Sequence, residues 1–179
     1  MDSTVYYFDD PEEGLSRDTS HPRFVQLAAD DFYYDVCDDF SPFGSDDGHD
    51  TLSALEDWYR TPCEGRKGID FLNSMLADWD LGVPADILRA SASARTAWLK
   101  ASAMNDRFLT GECRARVATA FGQLKITGQV DVAILDEALA AIECQLWLNE
   151  HSRATHPDWP HAGLNEQRLV QMRRLLQSL

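Results

Sequence analysis

From residue 45 onward the apolar residues of this chain recur at intervals of three and four. Leu52, Leu55, Trp58 and Tyr59 follow Ser45 and Asp47 and stop before Pro62. Ile69, Leu72, Leu76 and Trp79 stop before Gly82 and Pro84, and Val117, Phe121 and Leu124 stop at Gly128. This spacing sets the apolar side chains on one face of an α-helix, and a proline or glycine beyond the last of them ends it. The longest run is Val132, Leu135, Leu139, Ile142 and Leu146, on a background of Ala138, Ala140 and Ala141. It predicts a helix central to the core. Residues 85–109, rich in Ala and Ser, predict one interrupted helix or two short ones. After the proline-punctuated loop 156–161, Leu169, Met172, Leu176 and Leu179 define a last amphipathic helix, with Arg168, Arg173 and Arg174 nearby.

Before residue 45 the pattern changes. Val5-Tyr6-Tyr7-Phe8 is aromatic and β-branched, stops at Asp9-Asp10-Pro11, and is matched in composition by Phe32-Tyr33-Tyr34-Asp35-Val36. The two runs predict a small β-ribbon, with a frayed arm as the alternative for the first. Between them, Ser20 followed by Pro22 predicts a capped helix of about two turns, ending near Asp30-Asp31. The expected architecture is mainly α: a single-domain amphipathic helical bundle with a minor N-terminal β element. Residues 1–20 would form the strand and a mobile arm, 21–60 an acidic region and 61–179 a helical scaffold.

Composition fits one domain with a proper core: 179 residues, 44% of them hydrophobic, including five Trp and eight Phe. The net charge of −14 is unevenly placed. Residues 1–57 carry sixteen Asp and Glu against two Arg, and from Arg60 onward fourteen acids meet fourteen Lys and Arg. An acidic surface repels phosphates, so nucleic acid and anionic membranes are poor partners and a basic protein is favoured. Cys37, Cys63, Cys113 and Cys144 lack C-x-x-C spacing and read as reduced, mostly buried thiols. Met1-Asp2-Ser3-Thr4 does not start a secretion signal, and no apolar stretch approaches membrane-spanning length. A soluble, cytoplasmic protein without a cofactor is expected.

Candidate chemistry gathers in Ser41-Pro42-Phe43-Gly44-Ser45-Asp46-Asp47-Gly48-His49-Asp50. Here Asp46, Asp47, His49 and Asp50 stand at a helix start beside glycines that allow unusual backbone approaches. Three readings stay open: capping within a structural turn, a partner-binding patch that includes Phe43, or a metal site on those four residues. The ligand spacing of an EF-hand loop is absent. A second group, Asp31, Tyr33, Tyr34, Asp35, Asp38 and Asp39, interleaves carboxylates with aromatics, as a site for Lys or Arg side chains would. The aromatics could equally point inward and the acids outward. His151, His156 and His161 recur at five residues, the wrong step for one helix face, with prolines between, and read as surface or loop histidines rather than zinc ligands. Phosphate-loop, nucleophile-elbow, dinucleotide and zinc-protease motifs are absent.

The run from His21-Pro22 and Leu27 through Asp31-Phe32-Tyr33-Tyr34-Asp35 to the 41–50 motif and Leu52 resembles the bacterial YfeS-like family. It is also similar to segments of proteins of the molybdate-regulator (MolR) type. The resemblance covers residues 21–60, with Tyr34 where a Trp is expected. It implies a small bacterial domain whose acidic loop is a family feature, and it carries no activity to transfer.

These observations rank a non-catalytic binding protein first. Its acidic N-terminal face would engage a basic partner, most concretely as an immunity-type protein that neutralises a toxin or effector. A metal-dependent enzyme or metal-binding module on the 46–50 turn is the first alternative, and a regulatory or assembly module the second.

Overall fold

A computed structural model of the chain describes residues 5–61 and 65–179, so Pro62 and Cys63 lie outside the described residues. Among the described residues the chain forms seven α-helices: α1 (Pro22–Leu27), α2 (Asp46–Arg60), α3 (Gly68–Trp79), α4 (Ala92–Ala101), α5 (Asn105–Thr127), α6 (Val132–Thr155) and α7 (Ala162–Gln177). Single 3-10 turns stand at Asp31–Tyr34 and Ile87–Arg89. The protein is mainly helical, as the three-four spacing predicts. Residues 85–109 resolve into the Ile87–Arg89 turn, α4 and the start of α5.

The centre of the bundle is α5. All twelve residues at 115–126 are buried, because Ala115, Ala118, Ala120 and Gly122 let neighbours approach from every side. Gly122 receives α2: a Cβ there would stand 2.8 Å from Leu55 Cδ2. α6 packs along α5 as expected of a central helix, but of its apolar run only Ile142 is fully buried. Val132 is 82% exposed, while Ile134, Ala138, Ala141, Ile142, Cys144 and Leu148 are buried. Small residues fit the close α5–α6 contact, and the larger Leu135, Leu139 and Leu146 pack at its edges.

The N-terminal β element is not found. Among the described residues there is no sheet, only an isolated bridge between Asp10 and Gly14. Phe32 and Tyr33 are adjacent and both buried. A strand would send them to opposite faces, whereas a 3-10 turn brings both to the core. Residues 5–8 run along the end of α5, where the Tyr7 N–H donates to Ile126 O at 3.0 Å. The next residues are tied down by Lys125, fully buried with Nζ 2.6 Å from both Asp9 Oδ1 and Glu56 Oε1. The Asp9 N–H donates to the same Glu56 oxygen at 2.8 Å. Burial raises the Asp9 carboxyl above its ordinary value even against the pull of Lys125. α1 starts on His21, whose ring nitrogen accepts from the Arg23 N–H, rather than on Ser20.

Candidate functional site

The 41–50 motif is built into the fold. Phe43 is fully buried in the core, and Ser45 caps α2 by accepting the Gly48 N–H at 3.2 Å. Gly44 sits so close to the loop before it that a Cβ would stand 2.0 Å from Asp38 O, and one on Gly48 would stand 2.4 Å from Pro42 O. Asp47 takes a two-pronged ion pair from Arg107, with both N–O distances 2.9 Å, and Arg114 stands 3.8 Å away. Asp46, His49 and Asp50 are exposed. The four do not converge, and no group of three or more His, Cys, Asp or Glu side chains gathers as a ligand set among the described residues.

The second acidic group is divided in the same way. Tyr33 stacks on Phe121 in the core, 5.6 Å between centroids, and is a packing residue rather than a contact residue. Tyr34 lies under the Arg17 guanidinium at 4.5 Å, and Arg17 also pairs with the exposed Asp31 at 2.8 Å. Burial pushes both tyrosine hydroxyls up. Asp35 accepts the Cys37 N–H, and Asp38 accepts the Phe40 N–H while its other oxygen faces Arg168 Nε at 3.3 Å. Asp39 is exposed and without an ion-pair partner among the described residues.

Beside Asp39 opens a cavity of about 790 Å³. One wall is the loop 39–42. The second is a stripe of α5 at Asp106, Thr110, Arg114 and Val117, each one turn from the next. The third comes from the end of α6, including Gln145, Leu148 and Asn149, and α7 closes the floor with Leu169 and Met172. The loop 156–160 overhangs the mouth, where Trp159 meets Phe40 edge to face at 6.3 Å. The corner between α6 and α7 is fixed by the buried Asn149, whose amide N–H donates to Ala162 O and whose oxygen accepts from Asn165, both at 3.0 Å.

The groove is apolar at its floor and acidic at its mouth, where Asp39, Asp106 and Asp158 are all exposed. Of the residues singled out from sequence, Asp39 of the second acidic group, Ser41 and Pro42 of the 41–50 motif and His156 line it, and Asp39 is the one carboxylate among them. The groove's other members stand far apart in the chain. The local signals for them were Trp159 held between Pro157 and Pro160 and the one-turn steps on α5.

Among the described residues no helix is long and apolar enough to cross a membrane. No family model and no solved structure matches the chain. The curated "Uncharacterized protein YfeS" of Escherichia coli (strain K12) is 34% identical over 140 residues, covering 76% of this chain and 54% of that protein. The chain thus spans about half the length of this relative. The similarity extends well beyond the 21–60 segment and takes in helices of the scaffold. Identity at that level over three quarters of the chain shows that it belongs to a YfeS-like family of uncharacterised function.

Proposed function

We propose that this protein is a non-catalytic binding domain that captures a basic segment of a partner protein in the groove beside Asp39. The observation that supports this reading is the pairing of exposed Asp39, Asp106 and Asp158 with Phe40 and Trp159 around one apolar cavity. Carboxylates attract a Lys or Arg side chain, aromatic faces hold its stem and cation, and the apolar floor supplies contact area. The net charge of −14 adds a long-range field that speeds encounter with a basic partner. An immunity-type protein that neutralises a basic toxin is one member of this class.

The test is the triple variant Asp39→Lys, Asp106→Lys, Asp158→Lys, titrated with a fluorescent oligo-arginine peptide across a salt series. Affinity should fall by roughly tenfold or more, and its dependence on salt should flatten. A control pair, Asp46→Lys with Asp50→Lys, reverses charge outside the groove and should change affinity far less. A triple variant that binds like the unaltered protein sinks the proposal.

A further inference from the structure

The groove holds one arginine in its wall. Arg114 stands 3.8 Å from Asp47, but both Asp47 oxygens are already engaged by Arg107 at 2.9 Å. Among the described residues the Arg114 guanidinium makes no hydrogen bond. A guanidinium presents five N–H donors in a planar fork that matches a carboxylate. Gln145 and Asn149 lie on the facing wall. The groove therefore offers an anion site inside an acidic mouth.

A free anion would be repelled by a protein of this charge, so the occupant must carry positive charge as well. We propose that the groove takes the C-terminal end of a basic peptide chain, with the terminal carboxylate on Arg114 and a basic side chain among Asp39, Asp106 and Asp158. Resting on the basic-segment reading, this names which part of the partner enters. Spacing sets the register. Asp106 and Arg114 are eight residues apart on α5, about 12 Å along its axis. An extended peptide spans that distance in roughly three to four residues. The basic residue accordingly stands about three positions before the end, and an apolar last side chain lies over Val117, Leu148, Leu169 and Met172.

The test compares two synthetic peptides ending Arg-Ala-Ala-Leu, one with a free carboxylate and one amidated, by calorimetric titration against the full chain. The free acid should bind about tenfold or more tightly than the amide. In Arg114→Gln the two peptides should bind equally, and in Arg114→Lys the preference should be partly kept. Equal binding to the unaltered protein overturns carboxylate anchoring while leaving basic capture intact. A preference that survives Arg114→Gln overturns the role of Arg114. Failure of both peptides to bind overturns both proposals.

Discussion

At the scale of single residues, the conspicuous acidic motif owes its composition to packing as much as to charge. Gly44 and Gly48 are required by close approaches to the carbonyls of Asp38 and Pro42, and a backbone oxygen cannot swing aside as a side-chain tip can. Gly44→Ala should therefore cost at least about 2 kcal/mol, since the backbone at Asp38 must move away from residue 44 and open the loop between them. Gly163, near the start of α7, has open space where its Cβ would be. There, Gly163→Ala should stabilise by up to about 1 kcal/mol, because alanine is the better helix former. Urea unfolding of the two variants checks both signs. A tolerated Gly44→Ala would mean that the loop lacks the tight fit described.

At the scale of elements, legibility depended on whether a helix has one apolar face or several. α2 and α3 each show a single stripe with a stop signal, α7 shows a single stripe after a proline-punctuated loop, and each forms within a few residues of its expected place. α5 is buried all round over residues 115–126, so the run Val117, Phe121 and Leu124 marks only one of its buried faces, and the leucine run on α6 marks a shoulder because alanines take the tight contact. The groove was not readable, since its walls come from four separated segments. Neither was the tie between the N-terminal segment, α2 and α5, because Lys125, Asp9 and Glu56 meet only in three dimensions. Lys125→Met would leave the Asp9 carboxylate without its cation beside Glu56, which keeps only Arg60 at 3.0 Å, at a cost of about 3–5 kcal/mol at pH 7. Asp9 already has a folded value raised by burial above the 3.8 of the free group. Its protonation thus favours the folded state: the gain is complete below 3.8 and lost as pH rises through the folded value. The variant's deficit should accordingly shrink between pH 7 and pH 4.5. Denaturant titrations at both pH values measure it, and a constant deficit would show that Asp9 does not face Lys125.

At the scale of the whole molecule, the uneven charge along the chain is partly cancelled by folding. Asp38 meets Arg168, Asp47 meets Arg107, and Asp9 and Glu56 meet Lys125, so acids of the first third find cations of the remainder. What folding leaves uncancelled includes Asp39, Asp46 and Asp50, exposed and without ion-pair partners among the described residues, together with a net charge of −14. Two effects of salt then compete. Screening weakens favourable pairs, but the Lys125 cluster is buried and the Arg116–Glu112 pair nearly so, and buried pairs are screened little. Screening also relieves repulsion among the exposed acids, which share one sign and lie in solvent. The second effect should prevail, and Tm should rise by a few degrees between about 10 mM and 300 mM sodium chloride. The triple lysine variant at Asp39, Asp106 and Asp158 lowers the net charge magnitude by six and should show a smaller rise. If Tm instead fell with salt in the unaltered protein, exposed ion pairs such as Arg89–Asp136 and Arg153–Glu166 would outweigh the repulsion, and the field assigned to the groove would be weaker than its charges imply.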